Sequence, residues 1–228
     1  MYVFFGPEIL NFSTIPMTTI TLTTDFGERD YFVGAVKGCI YSQLPGARIV
    51  DISHSVSPFN HAEAAYIICN AYKYFPKGTI HIIGVDTESF TDKPHLLVVF
   101  DKHYFLCADN GILSLLTAEA QPEAVIALQH KLSVTSKFPT LDVFVDVAVA
   151  LSQQTAPEKF GHPIDHISLM KQYAPVVKLE QKQIVGSVIY VDNYGNVVSN
   201  ITQNLFESIG QNRSFEIYAR GVKFNRLF

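Results

Sequence analysis

The sequence predicts an α/β protein with an N-terminal, mostly parallel sheet flanked by helices, followed by a smaller all-β domain. Strand-like and helix-like segments alternate from Thr18 to about residue 155, which is typical of a parallel sheet. Beyond Gln183 the pattern changes to short strand-like runs separated by turn residues. We therefore expect an N-terminal extension over residues 1–16, an α/β domain over 17–177 and a partial β domain over 178–228.

The first half of the α/β domain has clear strand and helix signals. Strands are expected at 18–24, 48–53 and 79–85, where β-branched or apolar residues dominate. In a helix expected at 31–44, apolar residues recur at i, i+3 and i+4 until Pro45 stops the pattern. A second helix at 60–71 begins with Asn60, a good N-cap, and has Glu63 three residues later.

The second half is less regular. Residues 95–100 and 103–108 form two runs split by Asp101-Lys102 and predict a hairpin. A helix is expected from Ile112 to Ala120. Residues 142–152 fit both periods, and their length and alanines favour a helix. After a linker-like stretch at 163–183, the remaining expected strands are 184–191, 197–201 and 214–219.

Composition excludes several classes of protein. Of 228 residues, 48% are hydrophobic and 17% are charged, which indicates a folded globular chain. The formal net charge of -4 gives no basic field for nucleic acid or an anionic membrane. Three cysteines without C-x-x-C spacing predict neither disulfides nor structural zinc and favour the cytoplasm. No apolar run is long enough to span a membrane, and residues 1–16 make a poor signal peptide because they contain Glu8 and two prolines.

Three aspartates, Asp25, Asp86 and Asp109, lie at predicted strand ends. In open α/β sheets, ligands bind in the crevice outside the carboxyl ends of the strands. The acids could accept hydrogen bonds from ribose hydroxyls, or hold a divalent cation for metal-assisted hydrolysis. Asp109 precedes Asn-Gly, a context in which aspartate commonly forms a turn. We assign no metal ligand.

Familiar catalytic motifs are absent. The sequence contains no phosphate-binding glycine motif, no G-x-S-x-G and no H-E-x-x-H, and its eight histidines show no ligand spacing. The cysteines lie in apolar segments, where a thiol behaves as a small hydrophobe. Phe59 and Tyr194 lie in predicted loops beside polar residues. Such aromatics commonly pack internally, but they could also stack on a purine or attract a sulfonium cation.

Several short segments recur in a characteristic order along the chain. They are Thr23–Gly27 with Asp30, Gly34–Gly38, Ile52–Phe59, Phe75–Thr79, Val85-Asp86, Ala108–Leu113 and Val191–Asn196. Taken together, they cover about residues 18–202 and resemble the S-adenosylmethionine (SAM) hydroxide adenosyltransferase family, which is related to fluorinase and chlorinase enzymes.

The resemblance implies an α/β domain, a C-terminal β-barrel-like domain and a homotrimer with SAM at the subunit interfaces. It also implies attack by water or hydroxide at the ribose C5′ of SAM, giving adenosine and L-methionine, with SAM as substrate and no further cofactor. Asp86 matches the acid that positions or activates water, and Lys93 stands at the position of a catalytic arginine. The implied substrate-binding residues are Asp25 at the ribose, Phe59 along the ligand, Asp192 and Asn196 at the methionine or adenine portion, and Asn110, Phe138 and Tyr194.

The sequence departs from the family pattern at several positions. The loop from Asp86 to Lys93 lacks the glycines of an Asp-Pro-Gly-Val-Gly type loop, and lysine lacks the planar fork of arginine. Pro139 stands where hydrolytic members carry a histidine, and His95 is a possible substitute. Thr140 falls where halogenating relatives place a small hydroxyl residue. An Asn-Ser-x-Gly-Tyr-like segment of the β domain is missing, so we expect that domain to be truncated. A non-catalytic protein that binds SAM or adenosine is the alternative.

Overall fold

The computed structural model describes residues 18–88, 93–117, 120–129, 136–170, 174–180 and 182–224. The chain divides into two compact units, Met1–Met170 and Lys171–Phe228. The expected extension over residues 1–16 and residues 89–92 of the loop after Asp86 lie outside the described residues.

A seven-stranded sheet forms the centre of the first unit, in the order β2-β1-β3-β5-β4-β6-β7. Neighbouring strands from β2 to β5 are parallel, whereas β4 is antiparallel to β5 and β6, and β7 is antiparallel to β6. The strands are β1 (Thr19–Thr24), β2 (Arg48–Ser53), β3 (Ile80–Gly84), β4 (His95–Phe100), β5 (His103–Ala108), β6 (Ala124–Leu128) and β7 (Gly161–Pro163).

Helices cover both faces of this sheet. Since side chains of a strand alternate between its two faces, neighbouring residues of one strand pack against different helices. Leu97 in β4 packs in a cluster with residues of α1 (Phe32–Gln43) and α4 (Val145–Ser152). Its neighbour Leu96 packs with α2 (His61–Ala71) and α3 (Ile112–Thr117). No helix among the described residues is long and apolar enough to cross a membrane.

The expected fold class is therefore confirmed, with differences in detail. The strands and helices predicted up to Ala108 are present, with bounds that differ by one residue at most. The described part of α3 ends at Thr117. In the segment expected to be a helix at 142–152, Thr140–Phe144 form a π-helical turn that continues into α4. The sequence analysis did not predict β6 and β7.

The second unit consists of three separate two-stranded antiparallel sheets and one helix. Among the residues described between 174 and 224, no closed barrel is seen. The elements are β8 (Val176–Lys178), β9 (Gln183–Val185), β10 (Val188–Val191), β11 (Val197–Ser199), α5 (Gln203–Gly210), β12 (Ile217–Ala219) and β13 (Val222–Phe224).

Two predictions for this unit are wrong. It is not all-β, because α5 follows β11, with the Thr202 side chain accepting a hydrogen bond from the Leu205 amide as its N-cap. The single strand expected at 184–191 is broken at Gly186. A Cβ there would lie 2.5 Å from the Ile201 side chain and 2.7 Å from Asn200 Oδ1, so a larger residue would require these side chains to move.

Two histidines lie fully buried within the sheet of the first unit. His81 in β3 and His103 in β5 are each 0% exposed. Thr21 Oγ1 lies 2.7 Å from His81 Nδ1, and His81 Nε2 lies 3.2 Å from His103 Nδ1. Burial, and then the neighbouring His103, lower the pKa of His81 to about 3. Burial also lowers the pKa of His103, so the pair is neutral at pH 7.

We predict that this pair makes the protein sensitive to acid. Below about pH 6.5, the ordinary pKa of histidine, His81 becomes protonated in the unfolded chain. In the folded protein it stays neutral until about pH 3. Stability should therefore fall with decreasing pH, by about 1.4 kcal/mol per pH unit for each such histidine. We would measure the free energy of unfolding in urea at several pH values between pH 7 and pH 4. It should depend less steeply on pH in His81→Gln than in the wild type, whereas the exposed control His166→Gln should keep the wild-type dependence on pH. Equal slopes for all three proteins would contradict the prediction.

A second prediction concerns the pairing of β6 with β7. A Cβ on Gly161 would lie 1.8 Å from the carbonyl oxygen of Ala127, so Gly161→Ala should lower the free energy of unfolding by about 1–3 kcal/mol. Gly34 lies in α1, where an added Cβ would meet nothing within 4 Å, and Gly34→Ala should raise it by about 0.5–1 kcal/mol. Urea unfolding of both variants checks this, and an unchanged Gly161→Ala protein would contradict the pairing.

Candidate active site

The carboxyl ends of the parallel strands bring several predicted site residues to one edge of the sheet. Thr24 at the end of β1 pairs with Gly84 at the end of β3, and the amide of Asp25 lies 3.5 Å from the Gly84 carbonyl oxygen. Asp86 follows β3 by two residues. Because β3 is also parallel to β5, Asn110, which follows β5, lies at the same edge.

The antiparallel strand β4 brings Lys93 to this edge as well. His95 at the start of β4 pairs with Ala108 at the end of β5, and the Asp109 amide donates to the Pro94 carbonyl at 2.9 Å. The chain therefore enters β4 beside the point where it leaves β5. Lys93, two residues before β4, is exposed.

Asp25 fixes the backbone of Phe59. The Phe59 amide donates to Asp25 Oδ2 at 3.0 Å, and the turn is closed by the Asn60 amide donating to the Ser57 carbonyl. Phe59 has a φ of 60°, a left-handed conformation that is uncommon for a bulky residue. Its ring is 69% exposed. The hydrogen bond therefore holds an aromatic ring outward beside Asp25.

Asp86 contacts a histidine that the sequence analysis did not single out. His61, the first residue of α2, has its Nε2 atom 2.8 Å from Asp86 Oδ2. The two side chains are 18% and 27% exposed, respectively. Asp86 also has a left-handed backbone, with a φ of 46°. Among the described residues, no hydrogen bond reaches its other oxygen, Oδ1.

Asn110 supports the backbone of the same loop. Its Nδ2 atom donates to the carbonyl oxygens of Val85 and Asp86 at 2.9 and 3.2 Å, and its Oδ1 accepts from the Ile112 amide at 3.3 Å. The side chain is almost fully buried. In this structure Asn110 thus ties the segment after β3 to the start of α3.

Asp109, the third strand-end acid, faces a different partner. Its Oδ1 accepts from the Ser168 amide at 2.7 Å, and its Oδ2 accepts from the Ser168 hydroxyl at 3.0 Å. Within the described part of the chain, no group of three or more His, Cys, Asp or Glu side chains could hold a metal ion. Asp25, Asp86 and Asp109 each have a separate protein partner.

Phe138 lies in an aromatic cluster rather than alone. Its ring centroid is 5.4 Å from that of Phe26 and 5.3 Å from that of Phe32, with edge-on geometry in both cases. Phe26 directly follows Asp25 in the chain. The cluster therefore joins the loop after β1 to the segment that enters the π-helical turn.

The π-helical turn brings Thr140 to the end of β3. Thr140 is fully buried, and its Oγ1 atom would lie 3.0 Å from a Cβ on Gly84. The Thr87 hydroxyl lies 3.4 Å from the same oxygen. A larger residue at position 84 would displace this hydroxyl, so the close approach favours glycine there.

His95, the possible substitute for the family histidine, is occupied elsewhere. Its Nε2 atom lies 2.9 Å from the Thr87 carbonyl oxygen, and its ring packs edge-on against Phe144. The side chain is completely buried.

A polar network lies behind Asp25. Thr24 Oγ1 is 2.8 Å from His54 Nδ1, His54 Nε2 is 3.1 Å from Asp51 Oδ1, and Lys37 pairs with Asp51 Oδ2. Partial burial opposes ionisation of Asp51, but the hydrogen bonds from Lys37 and His54 outweigh it and lower the pKa of that carboxyl. The network connects α1, β2 and the end of β1.

The predicted ligand residues of the second unit form a hairpin turn between β10 and β11. Asp192 Oδ1 accepts from the amides of Tyr194 and Asn196, and its Oδ2 accepts from Asn196 Nδ2 at 2.8 Å. The hydrogen bond from the Asn196 side chain is the main reason for the lowered pKa of Asp192. Tyr194 stands at the turn with its ring 90% exposed. The carboxylate thus organises the turn that presents the tyrosine.

The sequence held one usable signal for His61. It follows the N-cap Asn60 and so occupies the first turn of a helix that starts from the loop after β2. In a parallel sheet that loop lies at the same edge as Asp86. The sequence signal for His61 can be interpreted only when the strand order is known. The pairing of β1 with both β2 and β3 brings the loop after β2 close to the loop after β3.

The fold and the site define an α/β protein with a candidate ligand site at the carboxyl ends of its parallel strands. The chain belongs to the SAM hydroxide adenosyltransferase family. The family's N-terminal domain matches residues 20–161, and its C-terminal domain matches residues 186–228. The family inferred from the sequence segments is thereby confirmed.

Individual relatives agree with this assignment. An (R)-S-adenosyl-L-methionine hydrolase of Methanocaldococcus jannaschii is 28% identical over 191 residues, covering 81% of this chain and 67% of that protein. A fluorinase of Actinopolyspora mzabensis is 34% identical over 224 residues, covering 84% of this chain and 74% of that protein. The crystal structure of an uncharacterized conserved protein from Thermotoga maritima superposes with a TM-score of 0.78 at 26% identity, covering 91% of this chain and 81% of that one.

We predict that Asp109 stabilises the fold. Replacing it with alanine leaves the amide and hydroxyl of Ser168 without their acceptor, so the free energy of unfolding should fall by about 1–3 kcal/mol. The exposed Asp165→Ala should change it by no more than about 0.5 kcal/mol. Urea unfolding measures both, and wild-type stability of Asp109→Ala would contradict a structural role.

Proposed function

We propose that the protein hydrolyses SAM by attack of water or hydroxide at the ribose C5′, giving adenosine and L-methionine. The observation that carries the proposal is the placement of Asp25 and Asp86 at the ends of adjacent parallel strands. Family membership and relatives named (R)-S-adenosyl-L-methionine hydrolase support the same reaction.

The chemistry of the substrate explains why carboxylates suit this site. The sulfonium of SAM is a good leaving group, so the enzyme mainly needs a nucleophile held in line with the C5′–S bond. A bond forms between the water oxygen and C5′, the C5′–S bond breaks, and its electron pair remains on the sulfur of methionine. The water also loses a proton, and we propose that Asp86 Oδ1 accepts it. Among the described residues, none makes a hydrogen bond to this oxygen.

The remaining residues of the first unit have complementary roles in this proposal. The ribose hydroxyls donate to Asp25, whose Oδ2 already fixes Phe59. The exposed Phe59 ring lies along the ligand and provides an apolar, electron-rich face for the adenosyl group or the sulfonium. Lys93 contributes a positive charge at the same edge of the sheet, although without the planar fork of an arginine.

The hairpin of the second unit carries three further residues that we propose bind the ligand. Asp192, Tyr194 and Asn196 would contact the methionine or adenine portion, Tyr194 through its exposed ring. Phe138 supports the proposed binding site by packing against Phe26, the residue after Asp25. Asn110 supports it by holding the backbone of the loop that carries Asp86.

One alternative function has an observation in its favour. Pro139, which cannot transfer a proton, stands at the position of the family histidine, as expected for a protein that binds SAM or adenosine without turning it over.

We also propose that the active form is a homotrimer in the cytoplasm with the ligand at the subunit interfaces. The exposed rings of Tyr31 and Phe59, 74% and 69% accessible, offer apolar surface that a neighbouring subunit could cover. The free cysteines Cys39, Cys69 and Cys107 suit a reducing compartment. Light scattering with and without SAM tests the trimer, and a monomer in both conditions would contradict it.

The reaction is tested by incubating the protein with SAM in isotopically labelled water and separating the products by chromatography. We expect adenosine with the label in its 5′-hydroxyl group, and a kcat about 10²–10⁴-fold lower for Asp86→Asn. The exposed Asp165→Asn is the matched control and should keep wild-type turnover. A chelator should have no effect.

Other outcomes decide against hydrolysis by this route. Thermal stabilisation by SAM without any adenosine would favour the binding protein. Loss of turnover with chelator would favour metal-assisted hydrolysis.

A further inference from the structure

We propose that His61 is the positioning residue for Asp86, acting by a hydrogen bond from its Nε2–H to one carboxylate oxygen so that the other oxygen faces the water. The inference rests on the proposed hydrolysis of SAM. It places a histidine of α2 beside Asp86 in a chain that has Pro139 at the position of the family histidine.

The contact has the geometry of an oriented acid. The distance of 2.8 Å between His61 Nε2 and Asp86 Oδ2 is that of a strong hydrogen bond between imidazole and carboxylate. A carboxylate oxygen accepts a hydrogen bond and does not donate one, so Nε2–H of His61 is the donor in this contact. Both side chains are partly shielded from solvent, which strengthens the bond relative to an exposed pair.

The backbone on each side of this contact is held independently. On the His61 side, the Asn60 side chain accepts from the Glu63 amide and starts the helix. Glu63 Oε2 accepts from Asn60 Nδ2 and from the Ser57 amide, so the nearest acid of α2 is engaged with the turn before it. His61 thus lies at a helix start whose hydrogen bonds are made by other residues.

On the Asp86 side, Asn110 binds the carbonyl oxygens of Val85 and Asp86. This support holds the backbone of Asp86 in a left-handed conformation, with a φ of 46°, which aspartate adopts more readily than most residues. Asn110 fixes the backbone and His61 fixes Oδ2, and in the described part of the chain Oδ1 makes no hydrogen bond and can face water.

Among the histidines of the described residues, His61 is the one that contacts Asp86. His95 is buried against the Thr87 carbonyl and Phe144, and His54 contacts Thr24 and Asp51. His81 and His103 form their own pair in the sheet.

In the proposed step His61 keeps its own proton. Water attacks C5′, the C5′–S electron pair leaves with methionine, and the proton of the attacking water goes to Asp86 Oδ1 and then to solvent. The Nε2–H hydrogen bond keeps the plane of the carboxylate fixed throughout. Since the bond acts on the orientation of the base, its loss should lower kcat and leave KM for SAM nearly unchanged.

The test compares four single variants, one of which is Asp86→Asn, and one double variant in the adenosine assay. His61→Ala should lower kcat by about 10–100-fold, the usual effect of losing a hydrogen bond that orients a key ligand or base, with KM changed less than about threefold. His61→Gln can still donate from an amide to Asp86 and should recover most of kcat. His166→Ala, an exposed histidine outside the site, is the control and should match the wild type. Thermal unfolding confirms that each protein is folded.

The double variant separates action through Asp86 from a general structural effect. On an Asp86→Asn background, His61→Ala should cause little further loss of kcat, because residues that act as a unit are not additive. Unchanged kcat in His61→Ala, equal losses in His61→Ala and His61→Gln, or fully additive losses in the double variant would each overturn the inference while SAM hydrolysis by the wild type stands. A folded wild type that releases no adenosine would overturn the proposed function, and the inference with it.

Discussion

The parallel pairing of β1 with β3 is the constraint on which the candidate site depends. It aligns Thr24 with Gly84, so Asp25, one residue beyond β1, and Asp86, two residues beyond β3, emerge at one edge of the sheet. Apolar clusters on both faces bury these strands almost completely, and a shift of one residue would turn every side chain to the opposite face. The register that brings the two carboxylates together is therefore enforced by the same burial that folds the domain.

Around these strand ends, the loops are held by side chains that bind backbone. Asp25 accepts from the Phe59 amide, Asn110 donates to the loop after β3, and Asp109 accepts from the Ser168 amide. Phe59 and Asp86 both have left-handed conformations that would be unfavourable without such support. The site thus combines a rigid sheet with loops whose unusual backbone is fixed by specific hydrogen bonds.

The sequence predicted secondary structure best where a local residue pattern was clear. Buried strands such as β1 and β3 and the helix start at Asn60 were predicted because β-branched runs and an N-cap are local signals. The strand β6 and the helix α5 were not predicted, because short segments carry few periods and depend on their partners. The acids at the strand ends followed from the α/β pattern. The contact between His61 and Asp86 did not, because it joins loops that are adjacent only through strand order.

The π-helical turn at Thr140–Phe144 holds one more residue than a regular helical turn would. Because each residue of an α-helix advances by about 100°, shortening this turn by one residue would swing Thr140 and Phe138 around the axis of α4 and away from Gly84 and Phe26. Divergence among chains of this architecture can therefore proceed through insertion or deletion of a single codon as well as through substitution. Such a length change would alter which side chains lie beside the strand ends, while the buried residues of α4 would keep their places.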